Sequence, residues 1–177
     1  MNGTLASTSA QKILSFLIQN PGRQFLANEI EKAAKVSRAG VNFSLRKLAK
    51  ERLVIREKKA KIYLYSVDHA DPVIKQLKVL KTVAFLKPLL GKAKKFSEKI
   101  ILFGSCARGE NIPKSDIDVF ILTDKQEGIK GLIKNHSLGK KLQIVIRTPL
   151  KFEEMKNKEP VFFEEISRGI TLWEAKE

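Results

Sequence analysis

The stretch LFGSCARGENIPKSDIDVFIL, from Leu102 to Leu122, constrains the fold more than any other part of the chain. An apolar segment ends in Gly104-Ser105, a polar loop follows with Gly109 and Pro113, and SDIDVFILT then reads as a strand ending at Asp124. On a β-strand the side chains at i and i+2 share a face. Asp116 and Asp118 are therefore expected side by side, with apolar Ile117 turned the other way. Two carboxylates so placed repel each other unless a cation sits between them. A divalent metal site is the first expectation.

The surrounding segments alternate between strand and helix patterns. EKIILFG is a short buried strand, Ala107 and Arg108 begin a brief helix, and QEGIKGLIKNH is helical. KKLQIVIRT is a third strand, PLKFEEMK opens a helix at Pro149, EPVFFEEISRG is a last helix and ITLWE a closing strand. Such alternation gives a small α/β or α+β unit, for which a mixed sheet is expected.

The first part of the chain has another period. From Ser9 to Asn20 the residues Ile13, Leu14, Phe16, Leu17 and Ile18 form an apolar helix face, stopped by Pro21-Gly22. FLANEIEKAAK offers a second helix with Ile30, Ala33 and Ala34 inward. Ser37 is a suitable N-cap for a third, RAGVNFSLRKLAKERL, with Val41, Leu45 and Leu48 on one side. LVIREKKAKIYLYSV then alternates about a basic turn at Lys58, Lys59 and Lys61, the pattern of a β-hairpin.

Between the two parts lies DPVIKQLKVLKTVAFLKPLLGKAKKF. Asp71-Pro72 is a helix start, and Ile74, Leu77, Leu80, Val83 and Ala84 recur at helical spacing. The expectation is a packed linker or dimer helix, its lysines on a solvated outer face, broken by Pro88 and Gly91.

Charge divides the chain more sharply than hydropathy does. Residues 1–70 carry 13 Lys/Arg against 5 Asp/Glu and residues 71–99 carry 8 against 2, whereas residues 100–177 carry 13 against 12. A polyanionic partner is expected for the first half and different work for the second; the plainer alternative is a lysine-rich surface. One cysteine, Cys106, allows no internal disulfide, fits a reducing cytoplasm and reads as a small buried residue, not a nucleophile. His69 and His136 stand alone, so zinc is not expected. The opening MNGTLASTSAQK lacks the pattern of a secretory signal, and no apolar run nears the length of a membrane span.

Residues 9–68 resemble the winged helix-turn-helix domains of ArsR- and MarR-like regulators. The resemblance implies that the third helix enters the major groove of double-stranded DNA, presenting Arg38, Asn42, Arg46 and Lys47, while Lys58, Lys59 and Lys61 of the wing meet phosphates. Winged helices also serve as dimerisation or docking modules. Residues 97–174, with Gly-Ser, ten residues and Asp-x-Asp, resemble the minimal (MNT-type) nucleotidyltransferases of the DNA polymerase β superfamily. That resemblance implies a nucleoside triphosphate, ATP being the first choice, bound by Gly104, Ser105, Arg108 and Ser115, with Mg²⁺ on the catalytic pair Asp116 and Asp118. Arg108 is left open between a phosphate and Glu110. It also implies a third carboxylate on the following strand, where the expected position holds Gln143 or a neighbour and the strand has no acid; Glu153 and Glu154 look like ordinary first-turn helix acids.

The expected fold class is α+β: a winged helix over residues 1–70, a linker helix over 71–96, and a small α/β nucleotidyltransferase domain over 97–177. The expected function is Mg²⁺-dependent transfer of a nucleoside monophosphate to a hydroxyl in the cytoplasm. A homodimer or a HEPN-family partner protein, as in antitoxin pairs, is carried by resemblance alone. The alternative is a DNA-binding regulator whose degenerate transferase domain senses a nucleotide or docks a partner.

Overall fold

Thr8 opens the first helix with a reciprocal cap, its hydroxyl accepting from the Gln11 N–H while the Gln11 side chain accepts from the Thr8 N–H. The structure, a computed structural model, describes residues 8–134 and 141–175; His136 lies outside them, as does the start of the chain through residue 7. The chain divides into two units, Met1–Lys78 and Val79–Glu177, each with its own apolar core.

In the first unit, α1 (Ser9–Ile18), α2 (Ala27–Ala34) and α3 (Arg38–Lys50) enclose Ile13, Leu17, Ile30, Val41 and Leu45. Ser37 caps α3 through the Gly40 N–H, so the helix starts where the sequence places it. Ile30 and Ala34, four residues apart, turn toward the core; Ala33, expected beside them, is exposed because it lies off that stripe. An antiparallel hairpin follows, β1 (Ile55–Lys59) and β2 (Ile62–Ser66). Lys59 pairs with Ile62, so the turn is the two residues Ala60 and Lys61, with Ala60 at φ +53°. Phe25 exchanges backbone hydrogen bonds with Tyr65 at 2.9 and 2.8 Å, holding the α1–α2 connection to β2.

Asp71 opens α4 (Pro72–Ala93), its carboxylate accepting from the N–H groups of Val73 and Ile74. Ile74 and Leu77 pack into the first core, whereas Leu86, Leu89, Leu90 and Ala93 belong to the second unit. Three expectations are corrected here. The helix runs through Pro88 and Gly91. An interior proline costs about 3 kcal/mol, but burial of each flanking leucine returns about 1.5–3 kcal/mol, and Pro88 itself is exposed. Leu80 is exposed, and Lys78, expected on a solvated face, is buried.

The second unit is built on a four-stranded mixed sheet in the order β5-β4-β3-β6. β3 (Lys99–Phe103) runs antiparallel to both β4 (Ile117–Leu122) and β6 (Ile170–Glu174), and β4 runs parallel to β5 (Leu142–Arg147). The pleat separates two apolar layers. Ile100, Leu102, Val119 and Ile121 pack with residues of α4 and with Ile129 of α6 (Gln126–Lys134). Ile101, Phe103 and Phe120 face the other way, against Met155 of α7 (Pro149–Lys158) and Ile166 of α8 (Pro160–Ser167). Among the described residues no helix is long and apolar enough to cross a membrane.

Candidate functional site

The end of β3 and the start of β4 meet at Phe103 and Asp118, which are partners in the antiparallel register. Gly104 follows Phe103 with φ +68°, a left-handed conformation that favours glycine. A Cβ at Gly104 would overlap the Asp118 carboxylate, so the backbone passes directly against that acid. From Gly104 the chain enters the five-residue helix α5 (Gly104–Arg108), closed by Gly109 at φ +67°. The helix thus begins at Gly104, three residues before the expected start.

The loop back to β4 is fixed by polar contacts. Ser115 accepts from the Ile112 N–H at 2.9 Å, and Lys141 donates to the Pro113 carbonyl at 3.2 Å. The buried Cys106 thiol donates to the Asp116 carbonyl at 3.3 Å, tying α5 to the first aspartate. Asp116 lies one residue ahead of β4, not inside the strand as expected, and is exposed. Asp118 is half-buried on the strand. Loss of hydration raises its pKa above the ordinary carboxylate value; the negative charges of Asp116 and Glu165 push it further, and Arg108 opposes them. The two aspartates are therefore close enough to repel, though Asp116 owes its place to a fixed loop.

Glu165 is the residue sequence reasoning missed. It projects from α8, whose Phe162 packs edge-on against Phe103 with ring centroids 5.8 Å apart and whose Ile166 is fully buried. Its carboxylate lies 3.8 Å from Arg108 Nη1, while Glu110 accepts from Arg108 Nε at 2.9 Å. Only the acidic FFEEIS helix pattern hinted at it; nothing local linked residue 165 to residue 118. Gln143 stands opposite Asp118 in the parallel β4–β5 register. Glu153 and Glu154 pair with Lys156 and Lys158 on α7.

The donors at this end of the sheet are carboxylate oxygens, which suit a hard divalent cation. Among the described residues no three His, Cys, Asp or Glu converge into a ready-made metal cage. The arrangement is a pair of acids open to further oxygen ligands from elsewhere.

In the first unit, Arg38, Asn42, Arg46 and Lys47 all lie exposed on α3, and Lys58, Lys59 and Lys61 are exposed around the hairpin end. Lys59 contacts Glu57 and Gln24, and Lys47 approaches Glu51 at 4.0 Å. Two further residues join this surface. Phe43 is 73% exposed on α3, and Arg56 stacks over the Tyr63 ring at 3.6 Å.

The second unit is thus a mixed four-stranded sheet with helices on both faces and a glycine turn against an aspartate. The model of the nucleotidyltransferase domain family matches residues 78–168, just over half the chain, and the chain belongs to that family. A crystal structure from Sulfolobus solfataricus, described as a candidate nucleotidyltransferase, is similar at 17% identity. The match covers 58% of this chain and 86% of that one, with a TM-score of 0.34. No curated protein matches.

Proposed function

We propose that the second unit transfers a nucleoside monophosphate from a triphosphate to an acceptor hydroxyl, with Mg²⁺, and that the first unit is a winged helix that binds double-stranded DNA. The observation that carries the transferase reading is the close approach of the Gly104 backbone to Asp118, with Asp116 beside it. In this reading Gly104 and Ser105 hold phosphate oxygens, Arg108 supplies a guanidinium to them, and Ser115 keeps the Asp116 loop in shape. Asp116 and Asp118 would hold Mg²⁺. When bound, the cation neutralises charge on the reacting phosphates. The acceptor oxygen attacks the α-phosphorus, the bond from that phosphorus to the bridging oxygen breaks, and pyrophosphate leaves with the electron pair. The hydroxyl proton passes to solvent. ATP is the first triphosphate to try, with a hydroxyl on a HEPN-family partner protein as a candidate acceptor.

Calorimetric titration with ATP provides the test. Mg²⁺-dependent binding is expected in the native chain and lost in the Asp116→Ala, Asp118→Ala double variant. Equal affinity in that variant overturns the assignment.

A second reading is supported by one observation. Gln143 faces Asp118 where an acid would bring charge and basicity, and a glutamine oxygen brings neither. The domain then binds nucleotide without turning it over, and the chain is a DNA-binding regulator. Binding without transfer to any hydroxyl acceptor supports this reading; labelled transfer from ATP excludes it.

A further inference from the structure

Arg108 is exposed on a five-residue helix, yet two carboxylates from different places hold it. Glu110, just beyond the Gly109 cap, takes Nε at 2.9 Å, and Glu165 of α8 stands 3.8 Å from Nη1. Nε makes the hydrogen bond, and Nη1 stands at ion-pair distance. A guanidinium is a planar fork with five donors, so a carboxylate bonded to Nε and a second beside Nη1 bias where the rest of the fork points. We propose that Glu165 is a positioning residue for the nucleotide: with Glu110 it orients Arg108 so that the remaining N–H donors of the guanidinium meet the triphosphate.

This rests on the transferase reading above and adds a residue to it. The anchor is stiff. Glu165 lies one helical turn beyond Phe162, on the same side of α8, and Phe162 packs on Phe103, the residue before Gly104. Ile166 is fully buried, and Gly169 lets the end of α8 come against Ile101 and Leu102. A free arginine loses much rotamer freedom when it closes on a phosphate; one already flanked by two carboxylates loses less. The charge balance adds a condition. Glu110 and Glu165 contact the Arg108 guanidinium, and Asp118 is influenced by Asp116, Glu165 and Arg108, so acids outnumber the one cation and a divalent cation favours the approach of a polyphosphate. The alternative duty for Glu165, as a third metal ligand, is disfavoured because no three such groups converge among the described residues.

A double-variant cycle on the full chain tests the inference: a non-hydrolysable ATP analogue is titrated in excess MgCl₂ into the native chain, Glu165→Gln, Arg108→Ala and the double variant. Glu165→Gln is expected to weaken binding about five- to tenfold, in line with loss of a charge-assisted contact. It is expected to add nothing in the Arg108→Ala background. Arg108→Lys keeps the charge but lacks the fork, and is expected to lose as much as Glu165→Gln. Should Glu165→Gln not fold, Glu165→Asp reads the same coupling, because the shorter side chain draws the carboxylate away from Arg108. Unchanged or tighter binding in Glu165→Gln overturns the inference, and so does a full loss that persists without Arg108, which would assign Glu165 to the cation. A native chain that binds no triphosphate with Mg²⁺ overturns the transferase reading itself, and this inference with it.

Discussion

Asp118 and Gln143 stand opposite each other across the parallel β4–β5 pair, on the face of the sheet that carries Phe120 and Val145. An acid at 143 would lie beside Asp118, adding a charge that the native chain lacks. Gln143→Glu is therefore expected to tighten divalent cation binding and raise any nucleotidyl transfer, measured with labelled ATP. Without a cation the same substitution is expected to lower thermal stability, because like charges are brought together. A variant that binds cation no better and melts as the native chain does would separate Gln143 from the site.

Gly104 is held at φ +68° with its α-carbon against the Asp118 carboxylate. Gly104→Ala meets both a left-handed backbone and an overlap with that acid. A cost of about 1–3 kcal/mol is expected, read as a lower denaturant midpoint, and triphosphate binding is expected to fail even in folded protein. Gly91→Ala supplies the control, since a Cβ there meets nothing within 4 Å and its helical backbone accepts alanine. Equal binding in both variants would remove Gly104 from the phosphate site.

The Asp118 carboxyl titrates above its ordinary value, chiefly because burial strips its hydration and then because Asp116 and Glu165 are near. An acid with a raised folded-state pKa stabilises the fold fully below its unfolded value. That stability is lost as pH rises through the folded value. At neutral pH, with divalent cations chelated, Asp118 is thus a net burden. Asp118→Asn is expected to raise the melting temperature at pH 7 in chelator, with the difference shrinking on acidification, while abolishing Mg²⁺-dependent nucleotide binding. A lower melting temperature for the variant at neutral pH would contradict the direction of the shift.

The sequence made the glycine turn, the aspartates and the Gln143 substitution legible because each is a local pattern. Strand parity gives Gln143 only its face of β5; the register of the parallel pair, which no local pattern carries, sets it opposite Asp118. Two further features were out of reach of local pattern. Pro88 and Gly91 look like breakers, and only the burial of Leu86, Leu89, Leu90 and Ala93 carries α4 past them. Glu165 reaches Arg108 through the packing of α8 on β3, across more than fifty residues of intervening chain. Asp116 shows a milder version: its nearness to Asp118 was expected from strand geometry, but a loop held by Cys106 and Ser115 delivers it.

Ala60 turns the hairpin at φ +53°, in a two-residue connection where glycine or asparagine is the usual choice. Ala60→Gly is expected to relieve about 1 kcal/mol of backbone cost, partly offset by the greater freedom of glycine in the unfolded chain. The measurement is the denaturant midpoint of the full chain. A loss of stability would mean that the methyl group contributes packing at the tip.

The basic surface of the first unit yields the last prediction. Arg38, Asn42, Arg46 and Lys47 line the exposed side of α3, with Lys58, Lys59 and Lys61 around the hairpin end and Phe43 among them. If the unit reads DNA through α3, binding to duplex weakens steeply with salt, because each phosphate contact releases a counterion. Arg46→Ala is expected to cost about 1–3 kcal/mol if it meets a base edge, and to relax preference at one base pair. Lys58→Ala is expected to weaken all sequences alike and reduce the salt slope by about one. Phe43→Ala separates the remaining cases: a ring against a thymine methyl group loses affinity only for sites with thymine there, whereas a ring used for protein docking leaves DNA binding untouched. Fluorescence anisotropy of the full chain on duplexes over a range of salt concentrations measures all three. Absence of duplex binding even at low salt would assign the face carrying Phe43 and Arg46 to a protein partner.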